Sequence, residues 1–373
     1  MYNIWNKWDP LKVCMLGNNY APEFFNGLPN KAGDPLKRIC EETLEDLDGY
    51  KKILQDFGVE VIQPDMDRNE RFLDNPSKYP RGPLQPRDYQ LVIGNRCYSS
   101  TGDHPAIRSR LKNYAPLNVP EYKIPFISCE NKYNILAGES WPSWENFCIN
   151  RKNKEYFEDF VWRELLNFTS HSDSSAIVFM VGKKVIVGDT HDIELTLEDV
   201  QGLSQFKEFD VTVANSDGHA DANYHPIKPG VILSLRDVQN YEITFPGWDV
   251  CYLPNQSWSK VKPFLDLKSK NQGKWWLAGE EHNDEFTQFV ENWLQDWVGY
   301  VEETVFDVNV LMLDEHHCCV SNIHNEKVNK FFKKHKIEPV YVPWRHRYFW
   351  DGGLHCITLD LYREGTQQDY FNH

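Results

Sequence analysis

The stretch HCITLDLYREG at residues 355–365 decides how the two ends of the chain are arranged. Its apolar residues Ile357, Leu359 and Leu361 alternate with polar ones, which is the period of a β-strand with one face in a core. A second apolar run, KVCMLG at residues 12–17, is suited to pair with it. The two runs predict an antiparallel pair between the first and last parts of the chain.

Four hairpins of the same kind lie between these two runs. Three of them have recognisable turns, at Gly94-Asn95, Gly182-Lys183 and Pro229-Gly230. The hairpins are DYQLVIGNRCYSS (88–100), AIVFMVGKKVIVGD (176–189), NYHPIKPGVILS (223–234) and VLMLDEHHCCVSN (310–322). A strand pair that recurs along one chain in this way indicates internal repeats rather than two unlike domains.

Segments that combine a helix end with a brief apolar strand accompany the hairpins. Three of them are LSQFKEFDVTVAN (203–215), QNYEITFPGWDVCYLP (239–254) and KFFKKHKIEPVYVP (330–343). A fourth has a helix over residues 35–58, with Asp34 as N-cap, Pro35 at its first position and Gly58 at its end, followed by a strand at 59–62. Five such units closing on themselves predict an α/β fold shaped as a propeller-like ring.

Composition and charge narrow the classes of partner. The chain has 373 residues, with 40 Lys and Arg against 55 Asp and Glu, for a net charge of −15. This acidity argues against nucleic acid and anionic membranes, because both are bound through clustered Lys and Arg. Nine scattered cysteines suit free thiols in a reducing compartment, and no long apolar run is present. We therefore expect a soluble, cytoplasmic protein.

Three clusters of reactive residues precede or open the hairpins: PRD (86–88), SDGHAD (216–221) and DGGLHC (351–356). Because they leave comparable ends of repeated strands, we expect them to converge on one central site. Residues 98–170 fit the repeat poorly, and they are interpreted as two helices flanking a Pro- and aromatic-rich loop that would cover this site.

Cys356 is the candidate nucleophile. A strand over HCITLDLYREG would place it on the polar face, and Gly352 and Gly353 before it permit a close backbone approach. A free thiol near its reference pKa of about 8.5 is mostly protonated at neutral pH, so a histidine partner would matter. The alternative is a buried structural cysteine, which is the more common role of a cysteine.

His219 is the candidate acid and base. In an extended H-A-D segment, residues two apart share a face, so His219 and Asp221 would lie side by side. An imidazole beside a carboxylate can shuttle protons and stabilise a thiolate. The alternatives are a solvent-exposed loop for this segment and, for Asp88, a turn aspartate paired with the neighbouring Arg87.

No cofactor is expected. The run His316-His317-Cys318-Cys319 alternates sides on a strand, so at most two of its side chains could face one metal ion, and no second ligand pair is evident. The glycine-rich patterns that bind phosphate groups are absent from the sequence.

The motifs together resemble the guanidino-group-modifying amidinotransferases, which include arginine:glycine and inosamine-phosphate amidinotransferases. The resemblance runs in family order through WDPL (8–11), PRDYQLVIGN (86–95), RSR (108–110), HADANYHPIKPGVILS (219–234), VNVLMLDE (308–315) and GGLHCITLDLYREG (352–365). It implies the pentein fold, a five-bladed α/β propeller with pseudo-fivefold symmetry, as a single domain over residues 1–373. It also implies a homodimer.

The resemblance further implies a reaction and the residues that carry it. Cys356 would attack the guanidinium carbon of L-arginine, L-ornithine would leave, and the covalent amidino group would pass to an amine, with glycine favoured and guanidinoacetate as product. His219 would move the protons. Asp88 and Asp221 would hold the guanidinium, which suits carboxylates because its N–H donors form a planar fork.

Several family positions are altered in this chain. The resemblance implies Asp173 as the acid that orients the histidine, although it lies one residue out of register, and Arg236 as the arginine that binds the substrate carboxylate, two positions early. Glu302 or Glu303 stands where the family has a serine that contacts substrate. Gly218 replaces a bulky residue before the HxD segment.

Three functions remain open on the sequence. The first is transfer of the amidino group to an amine. The second is hydrolysis, in which water resolves the intermediate and arginine yields citrulline or further products. The third is a non-catalytic arginine-binding protein.

Overall fold

The structure of the chain is a computed structural model. The structure describes residues 1–74, 81–88, 90–99, 104–118, 175–189, 206–215, 219–235, 241–253, 277–294, 297–298 and 305–371. None of the helices in these ranges combines the length and hydropathy that a membrane crossing needs.

Five small sheets contain the strands of the described residues. The strands are β1 (Leu11–Leu16), β2 (Glu60–Ile62), β3 (Gln90–Ile93), β4 (Arg96–Ser99), β5 (Val178–Val181), β6 (Lys184–Asp189), β7 (Asp210–Asn215), β8 (Tyr224–Lys228), β9 (Val231–Ser234), β10 (Asp249–Tyr252), β11 (Leu311–Met312), β12 (His317–Val320), β13 (Glu338–Tyr341) and β14 (Thr358–Arg363). The sheets have the orders β14-β1-β2, β3-β4, β5-β6-β7, β8-β9-β10 and β11-β12-β13.

All five predicted antiparallel pairs are confirmed. They are β3 with β4, β5 with β6, β8 with β9, β11 with β12, and β1 with β14. The turn residues Gly94, Gly182 and Gly230 have positive φ angles of 55°, 68° and 77°. Glycine adopts this backbone region without steric cost, so these turn sequences close the hairpins where they were expected.

A parallel third strand completes four of the sheets. These strands are β2, β7, β10 and β13, which pair with β1, β6, β9 and β12. Each lies in one of the helix-and-strand segments predicted from the sequence. The recurring unit is thus an antiparallel pair with a parallel strand added at one edge, and the fold is mixed α/β.

The helices of the described residues are α1 (Asn30–Asp56), α2 (Pro105–Tyr114), α3 (Ala220–Asn223), α4 (Tyr241–Thr244), α5 (Asp284–Trp293), α6 (Val305–Val308), α7 (Glu326–Lys334) and α8 (Arg347–Trp350). Of the two helices and loop expected over residues 98–170, only α2 falls in the described ranges.

The prediction for the start of α1 was wrong. The helix begins at Asn30, with Pro29 as its N-cap, so Asp34 and Pro35 lie inside it. The extra turn forms because the Ala32 and Gly33 amides bond to the Pro29 carbonyl. The prediction for its end is confirmed, since Gly58 follows with a φ of 76° and the Val59 amide returns to the Leu54 carbonyl.

The largest apolar core joins the buried face of α1 to β1 and to the aromatic end of α8. Trp350 closes α8 within this core, and its indole N–H donates to the Thr43 hydroxyl of α1 at 2.8 Å. Residues 351–357 then lead from this anchored point into β14. The segment that carries Cys356 is therefore held at one end by a packed helix and at the other by a paired strand.

Candidate functional site

The three reactive clusters predicted from the sequence converge. Cys356 Sγ lies 3.6 Å from Asp221 Oδ2. His219 and Asp88 are close enough to act electrostatically on Asp221, and Asp88 acts on Cys356 as well. The structure thus brings together four of the predicted site residues. Asp173, Arg236, Glu302 and Glu303 lie outside the described residues.

Cys356 does not lie in a strand, contrary to the prediction. It occupies a turn before β14, where the Ile357 amide donates to the Gly353 carbonyl at 3.3 Å and the Thr358 amide to the His355 carbonyl at 3.2 Å. The Leu16–Thr358 pair is the last of the β1–β14 ladder, and one further bond joins the Gly17 amide to the Ile357 carbonyl at 2.8 Å, so Cys356 lies beyond the paired segment. The thiol is therefore presented by the loop that enters the strand.

The glycines before Cys356 allow the close approach that the sequence suggested. A Cβ atom at Gly353 would lie 2.7 Å from Asn309 Oδ1. A Cβ at Gly352 would overlap Gln85 Nε2, which donates to the Trp350 carbonyl at 2.9 Å. Only glycine fits at these contacts without displacing a neighbour.

The environment of Cys356 favours the protonated thiol. The residue is 6% exposed. Burial raises the pKa of its thiol well above the usual value, and the charges of Asp221 and Asp88 raise it further. A backbone hydrogen bond from Gly353 and the Asn309 amide lower it. A thiolate at this position therefore needs hydrogen-bond donors to the sulfur and positive charge close to Asp221 and Asp88.

The H-A-D segment is not extended, so the reason given for pairing His219 with Asp221 was wrong. His219 is the N-cap of α3, and Asp221 lies in the first turn of that short helix. The two groups still interact, because His219 lowers the pKa of Asp221 while burial raises it to a greater extent. His219 is half-buried, whereas Asp221 is 1% exposed.

His355 is a site residue that the sequence motifs did not single out. Its Nδ1 lies 2.7 Å from Asp221 Oδ2. Burial lowers the pKa of its imidazole well below the usual value, with Arg87 and His225 acting in the same direction. A neutral ring beside a carboxylate carries its proton on the nitrogen that faces it, so Nδ1 donates to Asp221. The histidine next to Cys356 in the sequence was the available signal.

Asp88 is not paired with the adjacent Arg87, contrary to the alternative considered for it. Its Oδ2 accepts a hydrogen bond from Arg81 Nη2 at 3.0 Å. Arg87 instead donates to Asp360 at 2.8 Å and to the His355 carbonyl at 2.9 Å. Arg87 thus fastens the loop that carries Asp88 to the segment that carries Cys356.

Three buried carboxylate oxygens face no hydrogen-bond donor among the described residues: Asp88 Oδ1, Asp221 Oδ1 and Asp351 Oδ1. Asp351, which was not predicted as a site residue, has a left-handed backbone with φ of 53°. Burial raises the pKa of its carboxyl to about 6; the charge of Asp88 also raises it, whereas Arg81 and His219 lower it. Buried oxygens without donors are unusual in folded proteins, and a cation rich in N–H groups would satisfy them.

Asn309 is the second group that contacts Cys356, and it was also missed. Its Nδ2 lies 3.0 Å from Cys356 Sγ. The available signal was a polar residue inside the apolar run VNVLM. Among the described residues, no cluster of three or more His, Cys, Asp or Glu side chains could hold a metal ion.

Curated proteins that resemble this chain in sequence include amidinotransferases. Glycine amidinotransferase of Xenopus tropicalis is 29% identical over 154 residues, which are 41% of this chain and 29% of that protein. L-arginine:L-lysine amidinotransferase of Pseudomonas savastanoi pv. phaseolicola is 26% identical over 153 residues, 41% of this chain and 32% of that protein. The match thus spans about a third of these relatives' length. No family model matches the chain.

Solved structures extend the likeness to nearly the whole chain at the level of the fold. An amidinotransferase from Microseira wollei in the saxitoxin biosynthetic pathway has a TM-score of 0.59 at 19% identity, covering 99% of each chain. Inosamine-phosphate amidinotransferase from Streptomyces griseus has a TM-score of 0.59 at 15% identity, covering 100% of this chain and 99% of its own. Together with the sequence matches, this confirms the resemblance in the motifs: the chain is similar in sequence to amidinotransferases over 41% of its length, and similar in fold to two amidinotransferases over nearly all of it.

Proposed function

We propose that this protein is an amidinotransferase that takes the amidino group of L-arginine onto Cys356 and passes it to an amine. The observation that carries the proposal is the position of the Cys356 thiol, 3.6 Å from the carboxylate of Asp221. One oxygen of Asp221 and one of Asp88 face no hydrogen-bond donor among the described residues. Glycine is the acceptor we favour, with guanidinoacetate and L-ornithine as products. The relatives support the reaction class, and their names include lysine and inosamine phosphate beside glycine.

Substrate binding follows from charge. Asp221 and Asp88 are the two carboxylates predicted for guanidinium binding. Each has one oxygen that faces no hydrogen-bond donor among the described residues, and Asp351 adds a third such oxygen. A guanidinium would supply N–H donors to these oxygens and cancel charge that now raises the pKa of Cys356. The bound cation would thereby favour the thiolate that attacks it.

The first half-reaction needs one bond made and one broken. The Cys356 thiolate forms an S–C bond to the guanidinium carbon, and the bond from that carbon to the ornithine nitrogen breaks. His219 gives a proton to the departing amine. In the second half, the acceptor amine loses a proton to His219 and attacks the same carbon, and the C–S bond breaks to restore the thiolate.

The remaining expectations from the sequence belong to this proposal. The five sheets would be the blades of a pentein propeller formed by residues 1–373 as one domain, in a cytoplasmic homodimer without a cofactor. Asp173 would orient His219, Arg236 would bind the substrate carboxylate, and Glu303 or Glu302 would contact substrate.

The test is an amine-acceptor screen with L-arginine as donor. We expect release of ornithine that depends on the amine, and an amidino adduct on the peptide that contains Cys356, detected by mass spectrometry. Cys356→Ser should lose both. Activity that survives in Cys356→Ser would overturn the mechanism.

The same screen separates the other two functions. Citrulline formed from arginine without any amine would show hydrolysis. Arginine that binds without an adduct and without a product, across glycine, lysine and aminocyclitol phosphates, would show a non-catalytic binding protein. Either result would replace the proposed transfer reaction.

A further inference from the structure

The side-chain amide of Asn309 has only one orientation that satisfies its neighbours. Its oxygen accepts hydrogen bonds from the backbone amides of His355 at 2.9 Å and Cys356 at 3.1 Å. Its nitrogen donates to the Asp221 carbonyl at 3.2 Å and to Cys356 Sγ at 3.0 Å. Because backbone amides only donate and a carbonyl only accepts, the NH₂ group must face the sulfur.

The position of Asn309 is fixed by the fold. It is 0% exposed and follows α6, where its own amide donates to the Val305 carbonyl at 2.8 Å. Gly353 packs directly against it on the other side. One buried amide thus connects α6, the first turn of α3 and the turn that carries the thiol.

The charges around Cys356 Sγ give this contact its importance. Asp221, from α3, lies 3.6 Å from the sulfur, and Asp88, from the loop before β3, acts on it from a greater distance. Both charges disfavour a thiolate. His355 from the same turn is bonded to Asp221, and His219 at the start of α3 acts on Asp221. The Asn309 N–H group points at the sulfur, and its positive end opposes the effect of these carboxylates on the thiolate.

We propose that Asn309 is a catalytic residue of this site, which stabilises the Cys356 thiolate through a direct N–H···S hydrogen bond while its oxygen holds the Cys356 backbone in place. This deepens the proposed function, since it rests on Cys356 being the nucleophile. An N–H donor bonds more strongly to an anionic sulfur than to a neutral thiol. The Asn309 amide therefore favours the thiolate, which is the form that attacks.

The experiment separates two roles of Asn309: its nitrogen donates to the sulfur, and its oxygen holds the backbone amides of His355 and Cys356. Asn309→Asp keeps an oxygen for the two backbone amides and removes the donor to sulfur, and Asn309→Ala removes both without adding charge. Iodoacetamide alkylation of Cys356 is followed against pH on the Cys356 peptide, because other cysteines are present. A hydrogen bond to a charged group corresponds to a pKa change of about one unit or more. We expect the apparent pKa of Cys356 to rise by that amount in both variants.

Asn6→Asp is the matched control. Asn6 is also 0% exposed, its oxygen also accepts from two successive backbone amides, those of Trp8 and Asp9, and its nitrogen donates to Asp9 and Tyr370. The control therefore suffers a comparable structural loss away from the thiol. Its alkylation profile should match the wild type even if its melting temperature falls.

The outcomes decide between the roles. Alkylation profiles of both Asn309 variants that coincide with the wild type would overturn the proposal and leave Asn309 as a structural residue. In the transfer assay, we expect kcat to fall about tenfold with little change in KM for arginine, since the donor acts on the nucleophile. Absence of ornithine release from the wild type would reject the proposed function but leave the alkylation comparison intact.

Discussion

Asp360 and Asp221 are equally buried carboxylates that differ in how their charge is compensated. Each is 1% exposed. Burial raises the pKa of Asp360, but Arg363, Lys7 and Arg87 outweigh it and hold that pKa well below its usual value. The pKa of Asp221 is raised instead, because His219 and Arg87 do not offset its burial. The first carboxylate is part of the scaffold, whereas the second has an oxygen that faces no hydrogen-bond donor among the described residues.

Asp360, Arg363, Arg87 and Lys7 form what we call the scaffold cluster, which has three basic groups around one carboxylate. Arg363 Nε and Arg87 Nη2 each donate to Asp360 at 2.8 Å, and Lys7 Nζ lies 3.8 Å from it. Burial lowers the pKa of Lys7 to about 7, and Arg87 contributes in the same direction. The site cluster has the opposite imbalance, with three carboxylates around Arg81 and His219. Among the described residues, an excess of negative charge therefore distinguishes the site cluster from the scaffold cluster.

The largest expected effect is on stability, at the scaffold carboxylate. Asp360→Asn should lower the free energy of unfolding by about 3–5 kcal/mol, because it leaves buried arginines without their counter-charge. Denaturant unfolding of the variant measures this. A variant as stable as the wild type would mean that the two clusters do not differ in the way described.

The second effect is on activity, at the site carboxylate. Asp221→Asn should lower the rate of ornithine release about 100- to 1000-fold, the range seen when one preorganised electrostatic contact is removed. Its free energy of unfolding should equal or exceed that of the wild type, because an unfavourable buried charge is removed. Comparison of both values with those of Asp360→Asn tests the distinction directly. Strong destabilisation by Asp221→Asn would contradict it.

The smallest effect concerns the pH dependence of stability. The pKa of Asp351 is raised to about 6 in the folded protein, above its unfolded value, so the folded state takes up a proton first as the pH falls. The wild type should therefore gain stability between about pH 7 and pH 4, relative to Asp351→Asn, which should be the more stable of the two at pH 7 by less than about 3 kcal/mol, the upper bound set by a shift of about two pKa units. Thermal melting across this pH range measures the difference. Parallel pH profiles for the two proteins would exclude this role of Asp351.

The four hairpins could be predicted from the sequence because their signals are local. Alternating apolar residues and turn glycines such as Gly94, Gly182 and Gly230 specify a hairpin without reference to the rest of the chain. Short motifs of the same local kind singled out Cys356, His219, Asp88 and Asp221 as candidates. The start of α1 was missed because Pro35 favours a first-turn position, which packing of Ala32 and Gly33 overrode.

Contacts between distant loops could not be predicted in this way. The groups that act on Asn309, His355 and Asp351 come from other loops of the chain. Only these long-range contacts place the three residues in the candidate site. The geometry at His219 was misjudged for a related reason, since a short helix forms at Ala220–Asn223 where an extended segment was expected.

The pairing of β1 with β14 has a consequence for how the candidate site is assembled. Leu11 pairs with Arg363 and Leu16 with Thr358, and Cys356 precedes that last pair by two residues. Bringing such distant segments together requires closing a loop of nearly the entire polypeptide, and contacts of this kind form slowly. We therefore expect Cys356, the proposed nucleophile, to reach its final position late in folding. A partly folded chain would carry the thiol without its contacts to Asp221 and Asn309.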